Sequence, residues 1–355
     1  MKAGAAWLAP FLLWESAGVW VQRELVQTGD AAEYLRMAAG LPAAMPFARR
    51  VAVPWLAGRL SLEPQLGFRL IAHASALLFF ALTFHALLRL KSSPRAAAVG
   101  LCFVAVSPGF LYLHRNPFLT DAAWLAVQAG LIQLWLMGAV AASAVLFVAA
   151  LLVRENAVFF PLLWLPSRPR VAAGVGLLFV FGTVALSRAI PSEGGASMFD
   201  EVTRVATNKG WGRVLGDAVG AWHWLWLVMG WAVVRALRSS DQRGGWLGLA
   251  LFVPAVAACV VAINTQRMMT FVAPAVAWAV ASEVERRGAS SFNWLVASVA
   301  CLYALSVVLF PSVVWDAPPV ALKFITIGVA VIPFAVWLLK SRGADGATSA
   351  PNHPT

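Results

Sequence analysis

The chain has 355 residues, of which 61% are hydrophobic and only 12% charged, and its mean hydropathy is +0.76. That balance excludes a soluble globular domain. The net charge of +11 does not point to nucleic acid, because the basic residues are scattered through short loops and form no continuous stripe. Basic cytoplasmic loops and sites for anionic lipid headgroups give the same charge balance.

Apolar stretches of about 18 to 22 residues recur along the chain, long enough to cross a bilayer. Backbone polar groups in lipid must be paired within their own segment, so these stretches are read as helices. The expected fold is an all-α polytopic membrane protein with about twelve transmembrane helices. The spans fall at 4–22, 66–89, 96–112, 121–138, 140–153, 157–167, 171–188, 219–236, 246–263, 268–284, 293–312 and 320–339. The first, "MKAGAAWLAPFLLWESAGVWV", has a lysine followed by an apolar run. Glu15 interrupts that run and no convincing small-residue cleavage site follows, so an uncleaved span is expected rather than a signal peptide. The short pair 140–153 and 157–167 reads as two half-spans meeting at "REN".

Lys and Arg in short loops set the orientation. With the amino terminus inside, "RLKSSPR", "SRPR", "RALRSSDQRGG", "EVERRG" and "LKSRG" become basic cytoplasmic loops. Residues 1–340 then form a single multi-pass domain in a bacterial inner membrane, and 341–355 a disordered cytoplasmic tail rich in small polar residues. Residues 23–65 become a first outer loop of short interfacial helices, and 190–218 another outer loop carrying an amphipathic surface helix. Arginines are normally scarce on that face, so those found there need a local task.

The first outer loop carries "TGDAAEYLRMAAGLPAAMPFARRVAVP". Asp30 suits the N-cap of a short helix, with Glu33 completing a box-like cap and Arg36 pairing with Glu33 at i+3. Asp30 is equally placed to act as a general base toward an incoming hydroxyl. Arg49 and Arg50 are neighbours, and adjacent helical residues diverge by about 100°. One of them can therefore serve a site while the other snorkels toward headgroups.

In "LHRNPFLTDAAWLA", His114, Arg115, Asn116 and Asp121 crowd a membrane boundary. They read either as a capped helix start or as a second outward acid beside basic residues. In "LLVRENAVFFPLLWLP", Arg154 and Glu155 lie between two apolar segments. Charges there cost a few kcal/mol each unless paired or wetted, so they are either a tight-turn ion pair or functional. Arg267, in "INTQRMMTFVAPAVAW", suits a headgroup anchor or a phosphate ligand equally. Glu15 is the one acid well inside a span, either buried and protonated or facing a cavity.

Trp222, Trp224, Trp226 and Trp231 read as an interfacial belt. Cys102, Cys259 and Cys301 read as small packing residues. His73, His85, His114, His223 and His353 show no recognisable metal spacing, and no phosphate-cradling glycine loop, CxxC or GxSxG occurs.

Taken together, "TGDAAEYLRMA", "PFARRVAVPWLAG", "RNPFLTD" and "LLVRENAVFFPLLWL" give residues 1–170 a resemblance to the GT-C superfamily of membrane glycosyltransferases. That superfamily includes protein O-mannosyltransferases and the lipid A aminoarabinose transferase. The resemblance implies a glycosyltransferase that takes a sugar from a polyprenyl-phosphate donor on the non-cytoplasmic face and gives it, with inversion, to a lipid or polysaccharide acceptor. It makes Asp30 the catalytic base and Asp121 a second acid, with Arg50, Arg154 and Arg267 on the donor phosphate. Glu33, His114, Arg115 and Glu155 complete the implied substrate-binding set. Better-known families often place a lysine where this chain has Arg154, and some carry a carboxyl-terminal soluble domain not seen here.

No cofactor is implied. Two outward acids could hold a divalent metal, although no motif asks for one. A transporter or lipid flippase would instead carry ionisable residues near the midplane on paired repeats. An assembly protein would leave Asp30, Asp121 and Arg154 in separate caps and pairs.

Overall fold

The computed structural model describes residues 5–21, 29–44, 47–60, 62–154, 157, 160–190, 203, 207, 221–222, 225–261 and 265–287. The expected spans 293–312 and 320–339, nearly all of the loop 190–218, Glu155, Trp224, His223, Cys301 and the tail 341–355 lie outside the described residues.

Every regular element among the described residues is helical. In chain order these are α1 (Leu8–Val21), α2 (Gly29–Ala38), a 3-10 turn (Phe47–Arg49), α3 (Ala52–Arg59), α4 (Pro64–Arg89), α5 (Pro94–Ala105), α6 (Pro108–Arg115), α7 (Asp121–Leu136) and α8 (Val140–Leu151). They continue as α9 (Pro161–Trp164), α10 (Pro169–Ala189), α11 (Leu225–Leu237), α12 (Arg243–Val261), α13 (Thr265–Met269), a 3-10 turn (Thr270–Val272) and α14 (Ala273–Arg287).

Two helices, Pro64–Arg89 and Pro169–Leu186, are long and apolar enough to cross a membrane alone. Four shorter apolar stretches, Leu8–Val19, Val140–Leu151, Leu225–Leu237 and Arg243–Cys259, fall below that length. The described residues thus supply fewer unbroken crossings than the hydropathy pattern suggests. On α10, Leu177, Val180 and Phe181 turn outward, the last 68% exposed. An apolar surface of this kind suits acyl chains.

Two of the expected spans are broken by their own sequence. The stretch 96–112 divides into α5 and α6, bent by 60° at Val106–Ser107. Pro108 cannot donate to the preceding turn and starts the next helix, while the Ser107 hydroxyl donates to the Val104 carbonyl at 2.8 Å. Likewise 268–284 divides into α13, a 3-10 turn and α14, with Pro274 in the first turn of α14. Both breaks bring polar residues to one end of the bundle.

The core is aromatic around α1, α4 and α6, where Trp14, Phe79, Phe80 and Phe110 pack at ring separations of 5.0–6.4 Å. Elsewhere small residues set the spacing. A Cβ at Gly100 of α5 would lie 2.3 Å from the Ala277 carbonyl oxygen of α14, so only glycine allows the two backbones so close. The same holds for Gly58 of α3, whose Cβ would meet the Ala38 carbonyl oxygen of α2 at 2.3 Å. This clamps the two short helices of the 23–65 segment together over one end of the bundle.

Trp222 departs from the expected belt. It is buried and donates to the Met269 carbonyl at 2.8 Å, whereas Trp231 is exposed. The hydrogen bond satisfies the indole N–H and lets the ring join the core.

Candidate functional site

Four segments far apart in sequence meet at the end of the bundle that carries α2 and α3. Asp30 stands in the first turn of α2, Asp121 in the first turn of α7, Arg154 just beyond α8 and Arg267 on α13. Arg267 joins the two acids. Its Nη1 donates to Asp30 Oδ2 at 2.8 Å, its Nη2 to Asp121 Oδ1 at 3.2 Å, and its Nε to Asp121 Oδ2. Arg154 donates to Asp121 Oδ1 from the other side.

Local structure explains the placement. Asp121 follows Thr120 at a helix start, where a carboxylate is favoured by the helix dipole. Arg154 follows the turn that ends α8, and the Ala52 N–H donates to the Leu152 carbonyl at 3.1 Å. That bond ties the 50–52 segment to the turn bearing Arg154. The guanidinium of Arg154 lies 4.8 Å from the centre of the Phe271 ring and reaches the Met268 sulfur at 3.8 Å. Phe271 in turn packs edge-on against Trp124 at 6.3 Å.

Exposure separates the two acids. Asp121 and Arg154 are each 2% exposed at the side chain, whereas Asp30 is 30% exposed. Asp121 is held through both oxygens by two arginines, so it acts as a counter-ion. Asp30 is held through one oxygen at the open edge. Burial alone would raise the Asp30 pKa. The Arg267 charge and hydrogen bond, with Arg50 and Arg154 further off, outweigh burial and leave it below the ordinary value of 3.8. Asp30 is therefore a carboxylate at neutral pH.

The other expected residues divide. Arg50 is buried and donates to the Tyr34 hydroxyl at 2.8 Å, with its guanidinium 5.8 Å from the Phe47 ring. It adds positive field at Asp30. Glu33 pairs with Arg36 at 3.8 Å, as the i+3 spacing suggests, and accepts from the Ala44 N–H at 3.0 Å, so it orders the chain after α2. Arg115 is half-buried in the last turn of α6, beside a buried Asn116 that donates to the Tyr112 hydroxyl at 3.2 Å.

His114 faces another way. It stacks on Trp14 with ring centres 3.8 Å apart, and its Nε2 lies 3.0 Å from the Trp14 carbonyl oxygen. A second polar group sits there. His73 of α4 approaches Glu15 of α1 at 2.6 Å and the His114 ring at 5.3 Å. Residues 15, 73 and 114 are too far apart in sequence for spacing to reveal the juxtaposition.

Phe271, on which the Arg154 guanidinium packs, also lines a small apolar cleft of about 30 Å³, together with Trp124, Leu131, Phe160, Leu251 and Pro254 among others. The charged cluster thus adjoins an oily opening.

No family model matches the chain, and no curated protein matches it. Among solved structures, the crystal structure of ArnT from Cupriavidus metallidurans bound to undecaprenyl phosphate superposes with a TM-score of 0.52. The match is 14% identical and covers 99% of this chain and 82% of that one. At this identity the likeness is one of fold alone: the chain is folded like ArnT.

Proposed function

We propose that the chain is a glycosyltransferase that transfers a sugar from a polyprenyl-phosphate donor to a lipid or polysaccharide acceptor. The observation that carries this reading is the bridge made by Arg267 between the half-exposed Asp30 and the buried Asp121, with Arg154 behind them. The fold shared with ArnT, which was solved with undecaprenyl phosphate, supports the donor class.

The chemistry follows from the charges. A lipid phosphate leaves as an anion, so it needs positive charge rather than a protonated acid. Arg267 and Arg154 supply that charge, since a guanidinium stays protonated and its planar fork matches two phosphate oxygens. The acceptor oxygen forms a bond to the anomeric carbon as the bond from that carbon to the phosphate oxygen breaks. The phosphate keeps the electron pair, and Asp30 takes the hydroxyl proton. Attack opposite the leaving group inverts the anomeric centre.

Asp30 is a weak base while paired with Arg267. Donor phosphate competing for Arg267 loosens that pair and raises the basicity of Asp30 only when a substrate is present. On the loop-charge argument the site faces away from the cytoplasm.

The test is transfer of radiolabelled sugar from a panel of polyprenyl-phosphate sugars, using purified wild type and Asp30→Asn. Transfer by the wild type and its loss in a normally folded variant is the expected result. Equal transfer by both removes Asp30 as the base.

A further inference from the structure

The cluster on the other side of α6 takes no part in that chemistry, yet it brings three ligating groups together, His114 buried and Glu15 and His73 partly exposed. Glu15 on α1, His73 on α4 and His114 on α6 each bring one ligating atom, and these lie within 4.8 Å of one another. We propose that they form a binding site for a divalent first-row transition metal, zinc by preference.

An ion pair between Glu15 and His73 explains only part of the arrangement. The 2.6 Å contact already joins His73 to Glu15, and a second imidazole brought beside them adds another polar ring among Trp14, Phe80 and Phe110. Intramembrane ionisable groups are costly and persist where they have a task. Around a dication the set makes sense: one carboxylate and two neutral imidazoles are a familiar zinc donor set with a fourth position open.

The surroundings of His114 point the same way. A metal-bound histidine usually donates its second ring N–H to a carbonyl or carboxylate, which fixes the tautomer and the ring plane. Here Nε2 meets the Trp14 carbonyl at 3.0 Å while the Trp14 indole stacks on the ring. Trp14 is itself anchored by donating to the Phe110 carbonyl at 3.1 Å. Gly18, one turn further along α1, leaves the room, since a Cβ there would stand 2.3 Å from the imidazole. Glu15 and His73 are each 30% exposed, so the open side of the site is theirs. An ion about 2.0–2.1 Å from each ligand in tetrahedral geometry sets the ligand atoms about 3.3 Å apart, so Glu15 and His73, now at 2.6 Å, open slightly while His114 closes in, and side-chain rotation supplies both shifts.

The experiment uses full-length protein without a polyhistidine tag, purified in detergent, stripped with chelator and dialysed against ZnCl2. Bound zinc is measured by plasma mass spectrometry for wild type, His73→Gln, Glu15→Gln and, as a control on an exposed ring, His85→Ala. Wild type and His85→Ala are expected to retain one zinc per chain, and the two ligand variants to bind at least about tenfold more weakly. Zinc should also raise the melting temperature of the wild type and leave that of the ligand variants unmoved. If one variant fails to elute as a folded monodisperse species, the other decides. Zinc content and melting shift indistinguishable between wild type and both ligand variants overturns the proposal. No sugar donor is used, so the result is independent of the transferase reading.

Discussion

Two arginine–carboxylate clusters sit at opposite ends of the bundle, and they are built differently. At one end Arg235 of α11 and Arg286 of α14 both donate to Glu283, and Arg235 also reaches the Ser282 hydroxyl at 2.9 Å. Nearby the Ser93 N–H donates to Glu285 at 2.6 Å, and Lys91 pairs with Asp241 at 2.9 Å. There the carboxylate is buried while its arginines are about a third exposed. The acid is finished and the cations are wet, which is how a staple between helices looks. At the other end the order is reversed: Arg154 is buried deep, Arg267 is mostly covered, and the residue left at the open edge is the carboxylate Asp30. Buried cations under an accessible acid suit the proposed combination of a phosphate site with a proton acceptor.

Breaking each cluster should therefore have different consequences. The largest effect is expected from Asp121→Ala, which leaves Arg154 buried without its counter-ion and costs about 3–5 kcal/mol. Thermal unfolding in detergent should show it, with a sharp fall in the yield of folded protein. Next comes Asp30→Asn, which should lower transfer by about a hundredfold or more, the usual worth of a general base, while the melting temperature falls only slightly. Glu283→Gln should do the opposite, costing about 1–3 kcal/mol of stability through weakened charged hydrogen bonds. Transfer per folded molecule should be unchanged. A Glu283→Gln protein that folds but has lost transfer would erase the distinction between the two ends. Gly100→Ala, which forces α5 away from Ala277, should cost about 1–3 kcal/mol by overpacking, again without a specific loss of turnover.

The smallest effect is on pH dependence. The Asp30 pKa in the folded protein lies below 3.8, so its pairing with Arg267 adds stability that is fully present above the unfolded value. That contribution is lost as pH falls through the lower, folded value. For so accessible a pair it amounts to about 1 kcal/mol or less. The melting-temperature gap between wild type and Asp30→Asn should stay level from neutral pH to about 5 and close at lower pH. A gap that opens instead on the alkaline side would mean that Asp30 is not the titrating group.

Much of the candidate site was legible residue by residue. Asp30, Asp121, Arg154 and Arg267 stand out because charges are rare in this chain and each interrupts or borders an apolar run. Which partner each would take was not legible. Asp30 and Glu33 look like a cap, but Asp30 turns to Arg267 and Glu33 to the Ala44 N–H. Arg154 suited either a local pair with Glu155, which lies outside the described residues, or a functional site, and in the fold it reaches back to Asp121. His114 and Arg115 are adjacent in sequence, and adjacent helical residues diverge, so His114 turns to Trp14 and away from the four-residue bridge. The cluster of Glu15, His73 and His114 carried no signal, because metal spacing is recognisable only when ligands share one helix or loop.

By itself, then, the sequence determined that the chain is a helical membrane protein whose rare charges gather at helix ends. Hydropathy and charge scarcity are local and read directly. Only the tertiary structure decided which charges meet. The two proline breaks at 106–108 and 270–274 shorten expected spans and set α6 and α13 where His114 and Arg267 find their partners. Close backbone approaches at Gly58 and Gly100 then fix how near the helices come. Whether an arginine is an anchor in headgroups or one arm of a bridge depends on atoms more than a hundred residues away, and no local pattern contains that distance.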